Sequence, residues 1–452
     1  MNAQEEKFIR MTQPPVEKLI LKLAVPCIIS MLVTSFYNMA DTFFVGMLKS
    51  NAATGAVGVV FSMMAIIQAM GFFFGQGSGN YISRMLGQKK YDEASTMAAN
   101  GFFLSLGAGI LICVAGQIFL EPLAYLLGST DTILPYTKEY LRVILLGAPW
   151  MMASLVLNNQ LRFQGSAMYS MVGITTGAVL NIALDPLMIF TMDLGGAGAG
   201  WATIISQFVS FLILLAGCSK GSNIHINFKF FRINGFYMKQ MARGGLPSLA
   251  RQSLASVATI CLNHAARPYG DAVIAAMGVV QRIAMFGASA MIGFGQGFQP
   301  FCGFNYGAGL YKRVQKGFWF CVKGSFGFLV LVSTAAYIFA PQLVALFRDD
   351  PEVIACATSA LRFQCISFPV HSWIVMSNMF QQVTGKTASA TFLAMARQGI
   401  FYIPTVLLLT FLLGKQGIQM TQMISDLLTV ACAIPLQLHI LRKMPKEDRI
   451  GQ

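Results

Sequence analysis

Residues 75–94 read GQGSGNYISRMLGQKKYDEA, and residues 295–314 read GQGFQPFCGFNYGAGLYKRV. At an offset of 220 residues, Gly75, Gln76, Gly77, Gly87 and Tyr91 meet Gly295, Gln296, Gly297, Gly307 and Tyr311. The same offset carries Leu141-Arg142 onto Leu361-Arg362 and Gly165 onto Gly385, and Pro26 meets Pro247 one residue later. So long a period divides the chain into two related halves. The halves are built of apolar segments. Of 452 residues, 55% are hydrophobic and only 11% charged, and the mean hydropathy is +0.61. That composition is too apolar for an ordinary soluble protein, and disorder, a fibrous repeat and a nucleic-acid binder are excluded together, because the apolar residues fall in blocks of about 20, long enough to cross a hydrocarbon layer as helices. Twelve such spans are predicted, centred near residues 32, 65, 108, 147, 180, 208, 253, 287, 329, 368, 401 and 428. The fold class is therefore an all-α integral membrane protein, twelve transmembrane helices in two six-helix lobes.

Six spans per half is an even number, so the second half enters the membrane from the same side as the first, and the lobes are related by an axis along the membrane normal. The expected division is an N-lobe over 1–218, a linker over 219–239 and a C-lobe over 240–452. Charge gives the orientation. The formal net charge is +14, and its basic residues concentrate on one side, in the N-terminus (Lys7, Arg10, Lys18, Lys22), the loops around Lys89, Arg162, Lys229, Lys312 and Lys386, and the tail. The opposite loops carry only Lys49, Lys138, Arg267, Arg348 and Lys415. Both termini are placed in the cytoplasm, and the basic excess needs no anionic ligand to explain it. The polar opening from Met1 to Glu17 has no cleavable signal pattern. Nine scattered cysteines form no metal or disulfide framework. Gly-Gln-Gly lacks the GK[ST] ending of a phosphate loop, so these glycines read as helix-packing residues, and no ATPase motif occurs. The energy source is then an ion gradient or a partner.

Three carboxylates fall inside spans: Asp41, Asp185 and Asp426. An intramembrane acid costs roughly 2.5–3.5 kcal/mol on insertion scales, which makes each a functional-site hypothesis. Asp41 follows Tyr37 by four residues and Asp185 follows Asn181 by four, so each pair stacks on one helix face. Counting from Lys49 and Asp193 puts Asp41, Asp185 and Thr203 at similar depth. Such a cluster can hold a proton, or Na+ at Asp41, Asn181, Asp185 and Thr203. Pro186 removes a backbone donor beside Asp185 and is a hinge candidate. The second half places Arg251, Arg282, Arg362, Arg397 and His264 in or near spans, against the single Asp426. Arg251 and Arg397 are expected to snorkel toward the inner face. Arg282, beside Gln281, is expected to pair with Asp426 or to meet an anionic substrate group, so Arg282, Asp426, Gln281 and His264 make up a possible C-lobe or substrate site. No nucleophile and base share a convincing depth, so an enzyme is not expected.

PCIISMLVTSFYNMADTFFVG at 26–46, ATGAVGVV at 53–60, the two GQG loops, LRFQG at 161–165, LNIALDPLMIF at 180–190 and GGAGAGWAT at 195–203 together resemble the multidrug and toxic compound extrusion (MATE) family. The likeness covers about Leu19 to Leu441, and looks closest to the branch of the Gram-positive drug exporter and the DNA-damage-linked transporter. It implies a two-lobed, twelve-helix antiporter that expels amphipathic, chiefly cationic compounds in exchange for H+ or Na+, without a cofactor. It maps the family's ion site onto Tyr37, Asp41, Asn181, Asp185 and Thr203, with Asn158 a weaker match. Another branch carries an acid in the seventh span; the corresponding stretch here, GGLPSLARQSLASVATICLNHAARP, has none. The expected setting is a bacterial or archaeal cytoplasmic membrane, with a monomeric chain whose partners are the bilayer and small amphiphiles. The rival readings are a flippase or exporter of a lipid-linked or anionic amphiphile, and a scaffold without turnover.

Overall fold

The computed structural model describes residues 3–48 and 50–448, so Lys49, used above to argue depth and orientation, and Arg449 at the end of the basic tail lie outside the described residues. Where a chain crosses hydrocarbon, no water is present to satisfy its peptide groups, and helices that close their own hydrogen bonds are favoured. The elements are α1 (Ala3–Thr12), α2 (Val16–Gly46), α3 (Asn51–Gly87), α4 (Tyr91–Ile118), α5 (Leu120–Leu126), α6 (Leu134–Phe163), α7 (Ala167–Pro186), α8 (Gly195–Cys218), α9 (Gly235–Ala266), α10 (Asp271–Gly307), α11 (Tyr311–Ile338), α12 (Ala340–Phe347), α13 (Pro351–Ser367), α14 (His371–Val383), α15 (Thr387–Met395), α16 (Tyr402–Leu413) and α17 (Lys415–Lys443). Among the described residues two π-helical turns interrupt the pattern: Leu187–Thr191 continues α7, and Ala396–Ile400 joins α15 to α16. Among the described residues, eleven helical segments are long and apolar enough to cross a membrane. The predicted seventh span is the 32-residue α9, whose Arg243, Arg251 and His264 make it more polar than those eleven.

The chain divides into two compact units: Met1–Gln13 with Ile29–Gly245, and Pro14–Ile28 with Leu246–Gln452. This differs from a division at 219–239, because α2 starts in the second unit and ends in the first, while α9 does the reverse. Close helix contacts explain both assignments. A Cβ at Gly297 of α10 would fall 2.4 Å from the Ala24 Cα, and one at Gly293 would fall 2.6 Å from the Ile28 Cα, so the beginning of α2 lies directly on the α10 backbone. Arg313 donates to the Pro14 carbonyl at 2.7 Å, and Lys316 pairs with Glu17 at 2.9 Å. In the first unit, a Cβ at Gly77 of α3 would fall 2.2 Å from the Met241 carbonyl oxygen at the beginning of α9. The repeated Gly-Gln-Gly is thus a seat for a helix, as expected for small residues in a membrane.

The first unit is organised around α6, which buries 72% of its most apolar window while the other spans bury 28–50%. Phe102, Ala153, Leu157, Leu161 and Leu214 form one of its cores. In the second unit, Leu262, Val280, Val353, Ala357, Tyr402, Val406 and Ile418 pack together. Leu126, Leu331 and Phe411 point outward and are more than two-thirds exposed, the inverse of a soluble surface and the mark of a lipid-facing one. The segment between α8 and α9 is held against the first unit: Ile224 N donates to Gln164, and Asn100 exchanges hydrogen bonds with the Arg232 backbone.

Helices α3, α6, α10 and α14 end in the same cap, a left-handed residue at Lys89, Gly165, Gly309 and Gly385, followed by a nitrogen that reaches back five residues to a helix carbonyl. At Gly165 (φ +81) an added Cβ would also meet the Met11 sulfur of α1 at 2.7 Å. Gly165→Ala is therefore expected to cost about 1–2 kcal/mol and to lower the melting temperature in detergent. Gly107→Ala, whose Cβ would meet nothing within 4 Å, is expected to leave it unchanged or slightly raised.

The amphipathic α1 is tied to the same region by Lys7, a buried side chain that donates to Asn223 Oδ1 at 3.0 Å and to the Ser222 carbonyl at 3.2 Å. Burial, reinforced by the nearby Arg10 charge, pushes the Lys7 ammonium down to about 7 from its ordinary 10.5. The undocked chain therefore holds this proton up to higher pH than the docked one, so docking strengthens as pH rises from about 7 towards 10.5 and is weakest below that window. Wild type should gain melting temperature relative to Lys7→Met across that rise; a difference independent of pH would show that the Lys7 proton is not linked to docking.

Candidate functional site

In the first unit the polar side chains at membrane depth come from α2, α7 and α8. Tyr37 and Asp41 stack one turn apart on α2, and Asn181 and Asp185 do the same on α7, as four-residue spacing requires. The two carboxyl groups lie within hydrogen-bonding reach of each other. Asp185 is completely buried, as are Asn181 and Thr203 to within 1%. The donors and acceptors around Asn181 set its amide orientation: the nitrogen donates to Asp185 Oδ2 at 3.0 Å, and the oxygen accepts from the Thr203 backbone nitrogen and the Ser206 hydroxyl, each at 3.2 Å. The Tyr37 phenol lies beside the Thr203 side chain. Oδ1 of Asp41 and Oδ1 of Asp185 are shielded from solvent without a hydrogen-bond partner among the described residues. Two ionised carboxylates repel at this range in a medium of low dielectric constant, whereas one proton between them turns the repulsion into a hydrogen bond.

Asp185 is followed by Pro186, the last residue of α7, and then by the π-helical turn, in which Met192 N bonds to the Leu187 carbonyl at 2.9 Å. A Cβ at Gly198 would lie 2.6 Å from the Met188 carbonyl oxygen, so α8 packs directly against that turn. A π turn carries one residue more than the α-helical repeat, and such turns are frequent at functional sites.

The structure therefore brings Tyr37, Asp41, Asn181, Asp185 and Thr203 together. Asn158 is not among them: it lies five residues before the Phe163 end of α6, whereas Asp185 lies eighteen residues after Ala167, where the adjoining helix leaves that same end. At 1.5 Å per residue the two differ in depth by roughly 20 Å. Two participants were missed. Ser206 stands one turn beyond Thr203 on α8, a spacing that would have revealed it. Tyr140 of α6 is buried within the field of Asp41, Tyr37 and Asp185; in sequence it is indistinguishable from a core aromatic.

In the second unit the partner of Asp426 is Arg397, not Arg282. Arg397 Nε donates to Asp426 Oδ1 at 2.8 Å, Gln422 donates to the same oxygen at 2.8 Å, and the Ser367 hydroxyl donates to Oδ2 at 3.2 Å. Arg397 is anchored by this pair rather than snorkelling to an interface. Gln281, Arg282 and His264 are exposed and make no hydrogen bond or ion pair among the described residues. The expected Arg282–Asp426 pair is thereby corrected: Asp426 faces α13 and the π turn instead. No group of three or more His, Cys, Asp or Glu side chains capable of holding a metal occurs among the described residues.

The family model MatE matches residues 26–187 and again residues 247–408. The protein belongs to the MatE family. Its relatives include the multidrug export protein MepA of Staphylococcus aureus strain MSSA476, 27% identical over 443 residues and covering 97% of both chains. Among solved structures, an outward-facing multidrug resistance MATE family transporter of the MOP superfamily superimposes with a TM-score of 0.91 at 25% identity, covering 97% of this chain and 99% of the other. A MOP superfamily transporter from Pyrococcus furiosus shares the fold with a TM-score of 0.90 at 24% identity, covering 97% and 99%.

Within this MatE protein, Asn181 answers three partners at once. Asn181→Leu leaves the buried Asp185 carboxyl short of its donor and is expected to destabilise the first unit by about 1–3 kcal/mol, read as a lower melting temperature in detergent. Asn181→Asp keeps the acceptor but loses the donor and sets a third carboxyl group beside Asp185, so it should not recover that loss.

Proposed function

We propose that the protein is a secondary active multidrug efflux antiporter that exports amphipathic, chiefly cationic compounds by alternating access, driven by inward movement of H+ through the Asp41–Asp185 pair. The observation that carries this reading is the pair itself, two carboxyl groups facing each other within a dehydrated cluster, each with an unpartnered oxygen. The donor set favours H+ over Na+. Asn181 turns its nitrogen, not its oxygen, toward Asp185, so the amide offers a proton donor rather than an oxygen ligand at the carboxyl pair. Protonation at Asp185 acts next to Pro186 and the π turn, where a change of helical register moves the rest of the segment. Ion and substrate need not touch: linkage requires only that each prefer a different conformation.

This reading takes α9 as the twelfth span, since its 32 residues extend about 48 Å at the helical rise, and groups the spans into two six-helix lobes. The Lys/Arg distribution puts both termini in the cytoplasm of a bacterial or archaeal cell, with the chain working as a monomer. The names of its relatives, a multidrug export protein and a multidrug resistance transporter, support the substrate class. A second reading, transport of an anionic amphiphile, is favoured by the membrane-depth arginines of the second unit.

Reconstituted protein separates the coupling ions. Adding ethidium should release protons from wild type, with release unaffected by sodium at fixed pH, and Asp41→Asn or Asp185→Asn should reduce it at least about tenfold, the scale of losing one essential proton carrier. Undiminished release from both variants, or release that follows sodium rather than pH, would end the proton assignment.

A further inference from the structure

The last two spans leave a space between them that the fold does not fill. Helix α15, the π turn and α16 run one way across the membrane and α17 runs back, with Gly414 at the corner. Next to that corner the two spans touch, since a Cβ at Gly417 would fall on the Leu409 carbonyl oxygen. Farther along, the Ser425 hydroxyl donates to the Arg397 carbonyl of the π turn at 2.8 Å. Farther still, α17 turns its fully buried Gln437 to α14, where Gln381 donates to it at 2.9 Å. At this end α15 and α17 stand apart. The gap is a groove of about 700 Å³, with Ser389 and Phe392 on one wall and Cys432, Pro435, Leu436 and His439 on the other. The Ser389 hydroxyl is spent on the Lys386 carbonyl at 3.1 Å, so the slot is apolar along its length and polar only at His439.

The mouth of the groove is cationic. The α17 wall recurs at helical spacing, at 432, 435–436 and 439, and the next members of that stripe are Arg442 and Lys443. On the other wall, Lys386 directly precedes α15, three residues before Ser389. Because the two spans are antiparallel neighbours, these three cations stand at one membrane face, where one span begins and the other ends. All three are exposed, and their side chains make no hydrogen bond or ion pair among the described residues. No acid occurs from Val353 to Ser425 or from Leu427 to Lys446. Glu447 and Asp448 lie past the end of α17, and Asp448 accepts from the Lys312 backbone nitrogen at 2.9 Å. Topology accounts for basic residues on this side of the membrane, but not for their position on both walls of one apolar groove. Lys443 follows Cys432 by eleven residues, about 16 Å at the helical rise and close to half of a roughly 30 Å hydrocarbon layer. Slot and mouth together cover one leaflet. A free anion would have no use for the slot, and a neutral chain none for the cations.

We infer that the groove is a binding site for an anionic phospholipid, with one acyl chain along Phe392, Pro435 and Leu436 and the phosphate held between Lys386 and the Arg442–Lys443 pair. The inference rests on the membrane placement of these two spans and not on the export reading, so either can fail without the other.

Native mass spectrometry of the full-length protein in neutral detergent reads the bound lipid directly. Dioleoyl phosphatidylglycerol is expected to bind at least about tenfold more tightly than dioleoyl phosphatidylcholine, the scale set by two or more basic side chains near one headgroup. Lys386→Gln/Arg442→Gln/Lys443→Gln should remove that preference, and Leu436→Trp, which fills the slot, should weaken both lipids. Lys18→Gln/Lys22→Gln/Lys239→Gln, which removes three exposed cations of α2 and α9, should keep the preference. Glycerol phosphate, a headgroup without chains, should not displace the lipid. Equal affinity of wild type for the two lipids, a measurement that needs no variant, would overturn the site. So would an equal loss in both triple variants, displacement by glycerol phosphate, or a dimer that Leu436→Trp dissociates, which would give the groove to a second copy of the chain.

Discussion

A hydrocarbon layer offers no hydrogen bonds, and this constraint shapes the protein at every level. Peptide groups must be satisfied within each segment, which makes the spans helical. A charged side chain must find its partner within the protein, which makes polar clusters few and each of them consequential. The two π turns within spans both occur next to such a cluster: one follows Asp185 and Pro186, the other contains Arg397. Local loosening of the backbone and buried charge thus coincide in both units.

The two halves share their scaffold and differ in their chemistry. Gly77 seats the beginning of α9 and Gly297 seats the beginning of α2; Lys89 and Gly309, and Gly165 and Gly385, adopt the same left-handed caps. These are backbone demands: a close helix contact leaves no room for Cβ, and a left-handed cap favours glycine. Charge carries no such demand, and here the halves part. The first unit pairs two acids. The second sets one acid against a bound arginine, so a single architecture presents two different electrostatic surroundings.

Much of the first cluster was legible because helix geometry is local. Four-residue spacing put Tyr37 with Asp41 and Asn181 with Asp185, and counting residues along neighbouring spans put Asp41, Asp185 and Thr203 at one depth, although one landmark of that count, Lys49, lies outside the described residues. Resemblance added Asn158, which the helix register places elsewhere. Ser206 was missed for want of applying the same spacing, whereas Tyr140 left no signal at all.

By itself the sequence determined the apolar spans, the period of the repeat and the faces of individual helices, because all of these follow from composition and a rise of 1.5 Å per residue. Only the tertiary structure decided that Asp426 answers Arg397 rather than Arg282, and that α2 and α9 each divide between the two units. Depth is a count along one helix, but partnership depends on how far each helix is rotated about its axis. That rotation is set by which small residues let two backbones meet, and it is reset wherever a π turn inserts an extra residue.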